Sequence, residues 1–182
     1  MEYTKTIKLK DGRECVLRNG TRGDAEQELE LFRQTHGQTD FLTSYPDEIS
    51  YTVSQQAEYI EKKRNSPDEI ELLAQVGDRI VGLGGLDRIG WAEKTRHRGE
   101  FGVCIDRDFW GLGIGRALTL AVIECARLAG YSQLELEAVA DNGAALALYE
   151  STGFTEYGRN PRGFRSRLSG WQELVLMRIE LE

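Results

Sequence analysis

The sequence predicts an α/β chain (α+β in the wider sense), with one mixed sheet flanked by helices on both faces. Three observations carry this. β-forming runs and helical patterns alternate along the chain, with three β-runs in its middle joined by tight turns. One apolar β-run, Phe101 to Ile105, passes through a polar turn into three alternating glycines, Gly111, Gly113 and Gly115. Beyond these, Ile114, Leu118, Ala121, Val122, Cys125 and Leu128 fall on one helical stripe.

In chain order, Thr4 to Leu9 and Glu14 to Arg18 read as a hairpin around Lys10-Asp11-Gly12-Arg13. Asn19 to Gly23 is a loop. Asp24, with Gln27 in the capping-box position, opens a helix bearing Leu29, Leu31 and Phe32 that fades by Thr35-His36-Gly37. Gln38 to Tyr51 is irregular, broken at Tyr45-Pro46 and rich in aromatic residues, which suits either a ligand cleft or packing on the domain. Ser54 to Arg64 is a second helix, stopped by Ser66-Pro67. Strands follow at Glu69 to Val76 and Arg79 to Ile89, turning at Gly77-Asp78. Gly82, Gly84 and Gly85 within the second of these predict a bulge or a close approach by another backbone. Arg96 to Ile105 is the central strand, and the helix after the glycines runs to about Ala129, where Gly130 stops it. Leu134 to Ala140 alternates as a strand does. Asn142 caps a short helix from Ala144 to Ser151, and Gly153 to Tyr157 starts another strand. Gly158 to Gly170 reads as a basic loop carrying Arg159, Arg162, Arg165 and Arg167, and Trp171 to Leu181 as the closing strand.

The chain has 182 residues, 40 % hydrophobic and 29 % charged, with a net charge of −7. Its length fits one domain over 1–182. The acidic balance argues against a nucleic-acid partner and is compatible with a cationic or amine substrate. Cys15, Cys104 and Cys125 are widely spaced, with neither a metal nor a disulfide pattern. No signal-like or membrane-length apolar run occurs, so the expected setting is cytoplasmic, with no membrane partner.

The strand–glycine–helix junction has a specific physical use. It gathers main-chain N–H groups that the helix leaves unpaired, adds the positive end of the helix dipole, and removes the Cβ atoms that would keep an anion away. The expectation is a phosphate or pyrophosphate site. A Walker loop is excluded, because Gly115-Arg116-Ala117 lacks its lysine and hydroxyl. A dinucleotide fingerprint fits Gly111 and Gly113, but its third glycine comes too soon. Glu135 or Glu137 stands roughly where the ribose-binding acid belongs, yet too little chain follows for a second nucleotide-binding half. A Rossmann-type oxidoreductase is thus a distant third reading.

The run Ile105 to Leu118, with Trp110-Gly111-Leu112-Gly113-Ile114-Gly115-Arg116, resembles the acetyl-CoA pyrophosphate loop of the GCN5-related N-acetyltransferases (GNAT). Trp110 stands where that family has Arg or Gln. A second stretch, Asp141-Asn142-Gly143-Ala144-Ala145-Leu146-Ala147-Leu148-Tyr149-Glu150-Ser151-Thr152-Gly153-Phe154, resembles the family's Asn…Ala…Tyr…Gly-Phe segment. The two motifs stand in the family's order, and the likeness extends from about Cys15 to the end.

The resemblance implies a central mixed, mostly antiparallel sheet and an acetyl-CoA-dependent N-acetyltransferase acting in a direct ternary complex. Its acceptor would be a small-molecule or peptide amine, and no metal is involved. The amides at Gly111, Leu112, Gly113, Gly115 and Arg116 would hold the pyrophosphate. The strand edge at Val103 and Ile105 would pair with the pantetheine amides. Asn142 would contact the coenzyme, cap its helix, or do both. Tyr149 would protonate the departing thiolate, or else be a packed aromatic. Glu100 is the candidate base, or a solvated strand-end charge, since an ordinary glutamate is a weak base. His97 is its rival, and His36 a remote one. The arginines from Arg159 to Arg167 would meet the adenosine phosphate or an acidic substrate, or simply solvent. Cys104 is the one thiol placed to be tested as an acyl carrier. A non-catalytic CoA-binding sensor on the same scaffold is the alternative function, and a homodimer pairing through Leu174 to Leu181 is a possible assembly.

Overall fold

The computed structural model describes residues 1–181. Its eight strands are β1 (Thr4–Lys8), β2 (Glu14–Asn19), β3 (Ile70–Val76), β4 (Arg79–Arg88), β5 (Arg98–Ile105), β6 (Gln133–Val139), β7 (Thr155–Ser166) and β8 (Gly170–Glu180). The helices are α1 (Ala25–Gln38), α2 (Val53–Asn65), α3 (Ile114–Leu128) and α4 (Gly143–Ser151). The strands form one sheet in the order β1-β2-β3-β4-β5-β6-β8-β7. Every neighbouring pair is antiparallel except β5–β6, which is parallel. The mixed, mostly antiparallel sheet with helices on both faces is therefore present. Among the described residues, no helix is long and apolar enough to cross a membrane.

The strand period sorts side chains onto two faces. The larger core lies under α3 and α4, where Ile114, Leu118, Val122 and Cys125 meet Leu72, Leu86, Phe101, Leu134 and Phe154. Across the sheet, Leu31 of α1 packs with Leu73, Ile80 and Leu83. The strand glycines have a packing reason. A Cβ on Gly82 or Gly84 would press within 3.3 Å of Leu118, so their absence lets α3 settle directly on β4. The irregularity in β3–β4 pairing falls elsewhere, at Ala74/Gln75.

Four sequence expectations change. Gly158 to Gly170 is not a loop: β7 runs on to Ser166, bent by register shifts at Glu156/Gly158 and Asn160/Phe164. Arg159 is spent on Glu156 and Glu173 rather than facing an anion. Asp24 makes no side-chain cap on α1. Its carboxylate instead accepts from the N–H and hydroxyl of Thr21 and from Arg18, because a short 3₁₀ turn, Arg22–Asp24, precedes the helix. Gln27 accepts from the N–H of Ile80. The capping box of the second helix is Thr52 with Gln55. Finally, β8 is an inner strand with β6 and β7 on its two sides, so the segment proposed for pairing across a dimer is already paired on both sides from Leu174 to Arg178.

Candidate active site

The parallel pairing of β5 with β6 ends at Glu100↔Glu135, although β5 continues to Ile105. β6 departs from there with β8 as its partner through Val139. A wedge thus opens between two neighbouring strands in the middle of the sheet. The carbonyl of His97 accepts from Ser132 and Gln133 on the β6 side, and that of Arg98 from Ile89 on the β4 side. Alternation then directs the main-chain groups of Val103 and Ile105 into the wedge. Their N–H groups donate to no group among the described residues. An extended ligand with amide carbonyls can pair there as an added strand would.

The glycine loop sits at the far end of the wedge. Gly111 (φ +75°) and Gly113 (φ +100°) take left-handed conformations that any side chain would strain, and a Cβ on either would project into open space. Gly113 precedes α3, whose first main-chain bond runs from the N–H of Ala117 to the Gly113 carbonyl. Consequently the N–H groups from Gly111 through Arg116 donate to nothing among the described residues. This is a concentrated donor site at the positive end of a 15-residue helix. It fits a pyrophosphate.

Gly115 differs from the other two. A Cβ there would stand 3.1 Å from Leu148 and 3.2 Å from Ile105, so this glycine lets α3 approach β5 and α4 closely. The side chain of Arg116 is engaged, donating to the carbonyl and hydroxyl of Ser151. Only its main-chain N–H faces the anion site. Trp110 donates its indole Nε1 to the Ile105 carbonyl at 2.8 Å.

Two supports for this loop escaped the sequence reading. Asp106 is wholly buried and accepts from Gln38 Nε2 (2.9 Å), Arg79 (3.0 Å) and the N–H of Asp108 (3.3 Å). Gln38 also accepts from the N–H of Arg107. The other support is the turn between β1 and β2, where the N–H of Lys10 donates to the Leu112 carbonyl. In the sequence Asp106 is one more polar turn residue, and its two side-chain partners, Gln38 and Arg79, come from distant parts of the chain.

Glu100 and Tyr149 lie on opposite faces of β5, on either side of the wedge. Glu100 shares the α1/α2 face with Asp87, its partner on β4. Beside it on that face is Gly102, which is exposed and has nothing within 4 Å of where its side chain would be. The carboxyl of Glu100 is pushed above the ordinary range, first by partial burial and then by Asp87, Glu137 and Glu135. Tyr149 is 8 % exposed, on the α3/α4 face, edge-on to Phe101 and Phe154 with ring centres 6.0 Å away in each case. Burial pushes its phenol up to about 12, so it remains protonated at neutral pH. Asn142 caps α4 by accepting from the N–H of Ala145, while its amide nitrogen has no partner among the described residues.

The remaining candidates fall away from this constellation. His97 precedes β5 at the end opposite the glycine loop, in a cleft of about 490 Å³ lined also by Asp68, Arg88, Trp91 and Arg96. His36 is buried, stacked on Phe32, with Nδ1 2.7 Å from that residue's carbonyl, and burial lowers its pKa. Cys104 packs beside the α1 cluster, and burial pushes its thiol up to about 12, opposite to what an acyl-carrying thiolate needs.

Comparison with known proteins agrees with this geometry. The profile described as the acetyltransferase (GNAT) family matches residues 35–154. The N-alpha-acetyltransferase RimI of Mycobacterium tuberculosis is 35 % identical over 100 residues, covering 55 % of this chain and 61 % of that protein. Of the curated relatives matched at about a third identity, the chain spans 28 to 61 % of the length. A GNAT-family acetyltransferase from Streptococcus pneumoniae superposes with a TM-score of 0.87 at 25 % identity, covering 92 % of this chain and 99 % of that one. The yncA protein of Salmonella typhimurium, a putative acetyltransferase solved with acetyl-CoA, shares the fold with a TM-score of 0.81 at 19 % identity, covering 92 % and 94 %.

Proposed function

The chain belongs to the acetyltransferase (GNAT) family, and from that premise we propose that it transfers the acetyl group of acetyl-CoA to a primary amine by direct attack within a ternary complex. On this reading residues 1–182 act as one acetyltransferase domain. The observation that carries it is the pair of unpaired donor sets in line, Val103 and Ile105 along the wedge and Gly111 through Arg116 at its end. The first set suits the pantetheine amides and the second the pyrophosphate. Asn142 adds a free amide donor nearby in the family's motif. The solved relative holding acetyl-CoA supports the same ligand.

The acceptor enters from the face that bears Glu100 and the open position at Gly102. Its nitrogen attacks the thioester carbon, a C–N bond forms, and the C–S bond breaks. The proton lost by the amine goes to the Glu100 carboxylate, directly or through water, and then to solvent. The thiolate takes the phenolic proton of Tyr149, which is on the other face where the leaving sulfur emerges, and the phenolate regains a proton from solvent to close the cycle. A wedge N–H donating to the thioester oxygen supplies electrostatic stabilisation as charge develops. The chain is also similar to the ribosomal protein bS18-alanine N-acetyltransferase of Escherichia coli (35 % identical over 81 residues) and to its L-amino acid N-acetyltransferase AaaT (25 % over 142 residues), so a peptide N-terminus and a small-molecule amine are the acceptor classes to try first.

The test is an acetylation screen across amines with a free-thiol readout, repeated with Glu100→Gln and Tyr149→Phe. Transfer that both substitutions reduce supports the reading. Coenzyme binding with no acetylated amine, and no effect of either substitution, would establish a sensor instead.

A further inference from the structure

Asp87 and Glu100 are direct partners across β4 and β5, with both side chains on the α1/α2 face. Like charges opposite one another in a sheet are destabilising, so their juxtaposition asks for a reason. Asp87 is in turn held by Lys63, which reaches down from α2. The ammonium of Lys63 pairs with Asp87 and donates to the Leu86 carbonyl, with the Tyr59 ring 5.6 Å from it. Lys63 is only 3 % exposed, and lysine is almost never buried so far unless paired. The carboxylate of Asp87 remains half exposed. The cation is hidden under α2, and the anion is presented beside Glu100. An apolar contact of the same volume would serve the packing equally well.

We propose that Asp87, anchored by Lys63, is a positioning residue for Glu100: its fixed negative charge makes the Glu100 carboxylate a better proton acceptor for the incoming amine. This rests on the reading of Glu100 as the base. The other charged groups around Glu100 do not substitute for Asp87. From β6, Glu135 is paired with Arg98, on the strand of Glu100 itself, and accepts from the Tyr157 hydroxyl of β7; of the three carboxylates acting on Glu100 it contributes least. Glu137 lies on β6 beyond the last β5–β6 pair, on the far wall of the wedge. Lys63, from α2, is committed to Asp87. Glu71 of β3 is opposite Gly85, one row further along the face, and Glu28 of α1 associates with Glu71 and Gln56. Asp87 is accordingly the largest charged contributor to the raised proton affinity of Glu100.

The experiment is the pH profile of kcat/KM for wild type, Asp87→Asn, the double variant Lys63→Met/Asp87→Asn, and Glu100→Gln. A ¹³C carboxyl titration of Glu100 reads the same quantity without turnover. Asp87→Asn should move the acidic limb and the titration midpoint down by about half a unit to one unit. That single substitution leaves a buried ammonium unpaired, so some melting temperature should be lost. The double variant should recover it and keep the displaced limb. A midpoint for Glu100 unmoved in both variants, with activity lowered equally at every pH, would make Asp87 merely structural and overturn the proposal. Full activity in Glu100→Gln would instead overturn the assignment of the base, whatever Asp87 does to the titration.

Discussion

The indole Nε1 of Trp110 donates to the carbonyl oxygen of Ile105, 2.8 Å away, and so closes the end of the open edge of β5. That oxygen points into the wedge and would otherwise stand as an unmatched acceptor beside the amides proposed to hold the pyrophosphate. The related family has Arg or Gln at this position. Here the side chain is committed to the Ile105 carbonyl, and on the proposed reading the anion is left to main-chain N–H groups. Trp110→Phe keeps the ring and removes the donor. The expected result is a several-fold rise in KM for acetyl-CoA and a stability loss of about 1 kcal/mol, the worth of one hydrogen bond. Steady-state kinetics and denaturant titration check both. An unchanged KM would mean that the bond does not shape the slot.

Gly113→Asp tests the anion site. The left-handed conformation costs an L-residue about 1–2 kcal/mol, and the position opens onto space, so the fold should persist. The added carboxylate meets the very donors meant for the pyrophosphate. Affinity for coenzyme A, by calorimetry, should fall on the order of a hundredfold, which is about 2.7 kcal/mol. Gly113→Ala carries the strain without the charge and should lose much less.

Tyr149→Phe separates chemistry from packing. The ring still meets Phe101 and Phe154, so stability should change by less than about 1 kcal/mol. Loss of a general acid typically lowers kcat on the order of a hundredfold. The expected outcome is a depressed kcat with KM for acetyl-CoA unaltered. Wild-type kcat would reduce Tyr149 to a packed aromatic.

The sequence made the glycine loop legible because its chemistry is local: a strand end, alternating glycines and a helix in one short run. The wedge was not legible, since it depends on where β5 and β6 stop pairing, two strands separated by α3. Val103 and Ile105 were reached through family resemblance, and their unpaired N–H groups give the physical reason. The segment from Gly158 to Gly170 was misread because glycine, Pro161 and four arginines resemble a loop locally, whereas the strand pairing of β7 is with β8, across a register that bulges twice. Nothing in the sequence singles out Lys63 and Asp87, because what sets them apart is the burial of the lysine and a partner 24 residues away.

A buried acid pair gives a pH signature distinct from catalysis. Glu28 is wholly buried and Glu71 nearly so, and each has an oxygen without a partner among the described residues. Burial raises both above the ordinary carboxylate range, with mutual repulsion adding to the shift of Glu71. The folded chain therefore keeps protons that the unfolded chain releases. Their stabilising effect is complete below the ordinary carboxylate pKa and is lost as pH rises through the raised folded values. Glu71→Gln removes the titration, so its melting temperature should gain on wild type more at about pH 9 than at about pH 6. A difference independent of pH would refute this.

The central claim is that acetyl-CoA is held by main-chain N–H groups along the open edge of β5 and at the start of α3. Amide hydrogen exchange, resolved by residue with and without acetyl-CoA, reads those groups one at a time. The account predicts slowed exchange at Val103, Ile105 and Gly111 through Arg116, with little change on β1, β2 or β3. Saturating acetyl-CoA that leaves these amides exchanging as before, or protects a different stretch, would contradict it.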